Sequence, residues 1–215
     1  MSVGLYALSD LPSLKRWLGI RPSQADQDQL LEELIDTATA IIEKKTSRRL
    51  KKRTFENDPT SISSDGSQTE VIWLLEFPVV SVAKVNLGFG SSDLASGDYA
   101  VYKDAGYIRL QRRVAFEEDR AYNVLVPAGI QNVRVDYVAG YDPVPADLRQ
   151  ACRDLAAHMF VGSWASDKRM GLASRSVGDK AESYIADATI PPRVEQLIEP
   201  YVRVSLISHR EEEGA

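Results

Sequence analysis

A chain of 215 residues is long enough to bury one large core or two small ones. With 44% hydrophobic and 27% charged residues it has the composition of an ordinary globular protein, and no apolar run approaches the ~20 residues of a membrane span. A net charge of −5 argues against a chain that coats nucleic acid over its whole surface, and a single cysteine, Cys152, leaves no intrachain disulfide framework.

The first ten residues, MSVGLYALSD, have neither a basic n-region nor a sustained apolar stretch, so no secretory signal is expected there. Residues 9 to 20 read as a short capped helix. Ser9 or Asp10 can cap it, Pro12 suits its first turn, Leu14, Trp17 and Leu18 form its apolar face, and Gly19 stops it. From about Asp26 to Lys45, Leu30, Leu31, Leu34, Ile35, Ala38, Ile41 and Ile42 recur at helical spacing. Asp26, Asp28, Glu32 and Glu33 come early and Lys44 and Lys45 last, as the helix dipole favours.

A basic run follows, KKTSRRLKKR, with seven positive charges at Lys44, Lys45, Arg48, Arg49, Lys51, Lys52 and Arg53. Its plainest reading is a solvated helix end leading into a strand. The sharper one is contact with phosphate or an acidic partner. No aromatic residue interleaves the run, which disfavours base stacking.

Between residues 52 and 138 the pattern changes to short segments rich in Val, Ile, Tyr and Phe. The strands expected are Arg53–Glu56, Glu70–Leu75, Val79–Leu87, Tyr99–Lys103, Tyr107–Gln111, Tyr122–Val126 and Val133–Val138. Asp58-Pro59, Asp65-Gly66 and Asp104-Ala105-Gly106 supply turns. After Gly140, Pro143 and Pro145 stop the strand. Pro145 and Asp147 open a helix whose apolar face is Leu148, Ala151, Cys152, Leu155, Ala156, Met159 and Phe160. Ser163 to Thr189 lacks clear periodicity and reads as a loose loop that orders on docking, with Tyr184 and Ile185 as anchors. A last helix starts at Pro191 or Pro192, with Val194, Leu197, Ile198, Tyr201 and Val202 on one side, and Pro200 bends or ends it. HREEEGA reads as a frayed acidic tail.

The fold expected is therefore α+β, a helical frame with an inserted antiparallel sheet or sandwich. Residues 1–51 supply the N-terminal helices, 52–140 the β insertion and 141–215 the rest of the helical part.

Catalytic signatures are missing: no P-loop, HExxH, GxSxG, CxxC pair or dinucleotide fingerprint occurs. Gly88-Phe89-Gly90 is a lone GxG that reads as a loop. The two histidines, His158 and His209, lie far apart, and His158 reads as a structural residue flanking the core. Cys152 reads as a small buried hydrophobe. Asp136 and Asp142 lie six residues apart, across a strand end and a turn, too little for a metal site. The expectation is no enzyme, cofactor or metal.

Several stretches together, in order, resemble the tailed-phage head–tail connector family of gp6-like adaptors. They are SLKRWLGI, DQLLEELIDTATAIIEKKTSRRL, LLEFPVVSVAKV, VDYVAGYDPVPADLRQACRDLAAHMF, VGDKAESY and PPRVEQLIEPYVR. The family more often reads Tyr-Arg where this chain has Tyr201-Val202-Arg203. The resemblance implies a homo-oligomeric ring, typically of twelve copies, in the virion beneath the portal protein. That ring extends the DNA channel without reading sequence and docks head-completion or tail proteins. Synthesis would take place in the bacterial cytoplasm. The implied partner-contacting residues are Arg48, Arg49, Lys51, Lys52, Arg53, Arg175, Asp179, Tyr184, Tyr201 and Arg203. A carbohydrate- or peptide-binding β module, or a small hydrolase, is the alternative. It requires a concave site lined by Trp73, Tyr99, Tyr102 and Tyr107.

Overall fold

The computed structural model describes residues 3–59, 70–87, 93–111, 113–114, 121–122, 133–166, 174–177, 180–183 and 190–203. The architecture is α+β, and the chain divides into two compact units, Met1–Arg48 with Val144–Ala215 and Arg49–Pro143.

In the first unit, α1 (Leu11–Leu18) is fixed at both ends by its own sequence. The Ser13 N–H donates to Asp10 Oδ1 at 2.9 Å. Gly19, at φ 71°, lets the Ile20 N–H donate back to the Lys15 carbonyl at 2.9 Å. Leu14 is fully buried, whereas Trp17 is 48% exposed and has the Arg153 guanidinium 5.9 Å over its ring. Trp17 is thus at the margin of the core rather than in it. α2 (Asp28–Thr46) buries Leu31, Ile35, Ala38 and Ile42 completely. Leu30, expected on the same face, sits one position round the helix from Leu31 and is 42% exposed.

α3 (Ala146–Ser166) packs against α1, α2 and α4. Leu148, Ala151, Cys152, Leu155 and Ala156 have no exposure and Phe160 very little. Two expectations are corrected here. His158 is exposed, since it falls between the buried rows of Leu155 and Phe160. The helix also runs through Ser166, so residues 163–166 belong to it and not to a loop. Strands β9 (Ser174–Val177) and β10 (Lys180–Ser183) then pair antiparallel, with Ser174 opposite Ser183. The segment from 163 to 189 therefore has structure of its own in these parts. α4 (Pro192–Ile198) buries Val194 and Ile198, and Pro200 falls in the 3₁₀ turn Glu199–Tyr201 that ends it.

The second unit is built on two three-stranded antiparallel sheets. The first has β8 (Arg134–Ala139) between β1 (Arg53–Pro59) and β3 (Val79–Asn86). The second has β5 (Tyr107–Leu110) between β2 (Val71–Trp73) and β4 (Tyr99–Tyr102). Two-residue strands β6 (Arg113–Val114) and β7 (Ala121–Tyr122) pair alongside in sequence, so the strand expected from Tyr122 to Val126 is seen only at its start. Residues 123–126 lie outside the described residues. Alternation decides the faces: Val135, Tyr137 and Ala139 are buried while Arg134 is exposed. Ile72, Ile108 and Leu110 of one sheet and Val79, Val85, Val135 and Tyr137 of the other share one core. Gly140 closes the unit. At φ 105° a Cβ there would lie 2.7 Å from the Lys51 carbonyl carbon, so only glycine lets the two backbones cross.

Candidate assembly interface

The basic run does not stay together as one patch. Arg48 turns inward at the C-terminal end of α2, where Ser47 adopts the left-handed conformation at φ 54°. Arg48 is only 3% exposed, and its Nη1 donates to the Tyr201 carbonyl at 3.1 Å. Lys45 pairs with Glu195 of α4 at 3.0 Å, both side chains about half exposed, a pair whose net contribution is small. Lys44 and Arg49 are exposed.

From Arg49 onward the run is held by the β unit. The Arg49 N–H donates to Glu76 Oε2 at 2.7 Å, and the Glu76 N–H in turn donates to the Tyr137 hydroxyl at 3.3 Å. The backbone then zips to Tyr141. The Tyr141 N–H donates to the Leu50 carbonyl at 2.8 Å and the Lys52 N–H to the Tyr141 carbonyl at 3.1 Å. Lys52 Nζ lies 3.3 Å from Asp142 Oδ2 in an exposed pair, and Arg53 Nε donates to the Lys51 carbonyl at 3.4 Å. Lys51 and Arg53 are half-buried. Exposed charge in this part of the run rests on Arg49 and Lys52, on a rigid backbone.

Tyr201 and Arg203 are tied to the helical unit by hydrogen bonds. The Tyr201 hydroxyl donates to Asp147 Oδ2 at 2.6 Å, while Asp147 Oδ1 accepts from the Leu148 N–H at 2.9 Å in the first turn of α3. The Arg203 N–H donates to the Thr46 carbonyl at 3.0 Å, satisfying one of the orphan acceptors at the end of α2. Arg48, Tyr201, Arg203 and Asp147 thus make a clasp that fastens the C-terminal segment to the ends of α2 and α3. Its bonds span 54 to 157 positions in sequence, which is why no local pattern discloses it. Of the other expected contact residues, Arg175 lies on β9, with nothing described of its side chain, and Asp179 and Tyr184 lie outside the described residues.

Among the described residues, no group of His, Cys, Asp and Glu could hold a metal, and Asp142 is turned to Lys52. Cys152 has its thiol pushed up to about 11 by burial, so it is a closed-off thiol rather than a nucleophile. Of the four aromatics the alternative reading needs, three come together. Trp73 meets Tyr107 at a tilt of 54° with ring centres 5.0 Å apart, and Tyr107 stacks on Tyr102 at 4.4 Å. Tyr99 packs against the core. Tyr102 and Tyr107 lie nearly parallel, 17° apart, so the faces a sugar ring would cover are turned to each other.

The chain belongs to the head completion protein family, whose model matches residues 8–204. It is a structural protein of the phage head–tail connector kind. Two solved structures share the fold. "Neck of empty GTA particle computed with C6 symmetry" matches at a TM-score of 0.55 and 21% identity, over 93% of this chain and 92% of that one. "Virion of native gene transfer agent (GTA) particle" matches at 0.54 and 20%, over 92% and 91%. A comparison with curated proteins finds no match.

Proposed function

We propose that this chain is the head-to-tail adaptor of a tailed-phage-like virion, forming a ring beneath the portal that lengthens the DNA channel and docks head-completion or tail proteins. The observation that carries the reading is the family match across residues 8–204, almost the whole chain. The similarity in fold to a particle neck computed with C6 symmetry supports a cyclic arrangement, and twelve copies satisfy such a symmetry. The net charge of −5 suits a channel through which DNA slides, because a strongly basic lining would hold phosphates. Arg49 and Lys52 are the exposed charges of the basic run on the β unit, and we assign them to an acidic surface on the portal or a neighbouring copy. The test is electron microscopy of the protein mixed with its portal. Rings stacked coaxially on the portal support the reading, and a protein that stays unbound at concentrations where the portal is intact rejects it.

A further inference from the structure

The connection from α3 to α4 carries a small sheet of its own. β9 and β10 pair antiparallel and, among the described residues, neither is bonded to a third strand. A two-stranded ribbon is marginally stable at best in water, because each strand keeps one outer row of N–H and C=O groups without a strand partner. Apolar cross-strand pairs usually make up the shortfall. This ribbon has none. Its register sets Val177 against Lys180, Ala181 against Ser176 and Ser174 against Ser183, and the one complementary pair of residue types is Arg175 with Glu182.

The two outer edges of the ribbon complement each other. β9 and β10 run in opposite directions, so a second copy related by rotation brings its β9 antiparallel to the first copy's β10. Repeating that step round an axis pairs every edge and leaves none open, as in an up-and-down barrel. A twofold pairing of β9 with β9 would instead leave both β10 edges bare. Charge agrees with the rotary arrangement. With the register found inside the hairpin, Glu182 of one copy stands opposite Arg175 of the next, so acid and base alternate round the ring.

We propose that the hairpins of successive copies join edge to edge in the ring, β10 of one to β9 of the next in this register, and close into one barrel around the channel. This rests on the ring reading above and names a lateral contact within it. The contact is made by main-chain hydrogen bonds, the currency of strand addition, and so needs no apolar patch on the hairpin. Strands about 4.8 Å apart and tilted about 40° would make a ring of twelve such hairpins on the order of 50 Å across, open enough for DNA to pass. Four-residue edges are short, so the barrel forms where the portal gathers the copies and not between copies free in solution.

Disulfide trapping tests the contact, because Ser174 and Ser183 are register partners and native Cys152 is buried and does not compete. Directly opposed residues on antiparallel strands have Cα atoms about 4.5–5.5 Å apart, within disulfide range. Ser174→Cys and Ser183→Cys proteins are mixed, assembled on portal and oxidised. Covalent dimers containing one chain of each kind are expected, with no dimer when either variant is assembled alone. Rings that give no mixed dimer, or Ser174→Cys rings that cross-link by themselves, overturn the proposal and leave the ring reading standing. Failure of the wild-type protein to form rings on the portal overturns both. Hydrogen exchange needs no substitution and decides the matter if the variants fail to assemble. Amides of 174–177 and 180–183 should slow by at least about tenfold between free protein and portal-bound rings, and unchanged exchange there rejects edge pairing.

Discussion

Replacing Tyr201 by phenylalanine isolates the clasp at the end of the helical unit. The ring and its packing remain, and only the hydroxyl that donates to Asp147 Oδ2 at 2.6 Å is lost. A hydrogen bond to a charged group contributes about 1.5–3 kcal/mol when shielded. Both residues are half-buried, so water replaces part of it and about 1 kcal/mol is the expected loss in urea unfolding. The other two ties stay: Arg48 Nη1 to the Tyr201 carbonyl at 3.1 Å and the Arg203 N–H to the Thr46 carbonyl at 3.0 Å. Hydrogen exchange separates local from global loosening. The Arg203 amide should exchange about fivefold faster, the factor that 1 kcal/mol represents, while amides in the middle of α2 change only with global stability. Asp147→Asn should cost at least as much as Tyr201→Phe, since its single amide oxygen cannot accept from both the Tyr201 hydroxyl and the Leu148 N–H and the charge at the start of α3 is lost. An unchanged Arg203 amide together with unchanged unfolding would refute the idea that this bond fastens the segment.

Leu155→Ala, at a fully buried position of α3, should cost about 2–5 kcal/mol in denaturant unfolding, and a loss under about half a kcal/mol would mean the site collapses without a cavity. Gly140→Ala should destabilise by at least about 1–3 kcal/mol, because φ 105° is strained for alanine and its Cβ would meet the Lys51 backbone; a neutral result would show that the crossing can spread. The thiol of Cys152 rises from 9.0 to about 11 on burial, so the folded state favours the protonated form. That contribution is complete below pH 9 and is lost as pH rises through about 11, so wild type should lose stability relative to Cys152→Ala across this window, by a few kcal/mol at most. Parallel pH curves for the two proteins would contradict it. Changing Arg49, Lys52 and Arg53 together to serine should leave folding nearly unaltered and weaken portal docking far more at low salt than at high salt, as screened exposed charges do; salt-independent weakening would point to a packing role.

The elements themselves were legible where one local rule dominated. Asp10, Pro12 and Gly19 bound α1 as their chemistry requires, and the Leu31-Ile35-Ala38-Ile42 spacing gives α2 its buried face. The α3 face from Leu148 to Phe160 follows the same logic. Where the sequence misled, tertiary context outweighed the local signal. Trp17 is large and apolar, yet Arg153 covers its ring from another helix. His158 borders apolar neighbours in sequence but projects between their rows. Ser163, Ala165 and Ser166 continue a helix despite being small or polar, because such residues tolerate helix at a terminus. Candidate contacts were harder. Charge density marked the basic run, but not that Arg48 turns inward while Arg49 stays out. The bonds from Tyr201 to Asp147 and from Gly4 to Asp36 span 54 and 32 positions, so no window of sequence contains them.

The most direct test of the adaptor reading is single-particle imaging of heads assembled with and without this protein. Rings of this chain seated coaxially beneath the portal, present only when it is supplied and required for the next neck or tail component to attach, are the predicted result. Heads that acquire tails normally in its absence, or density for this chain anywhere other than the portal exit, would contradict it.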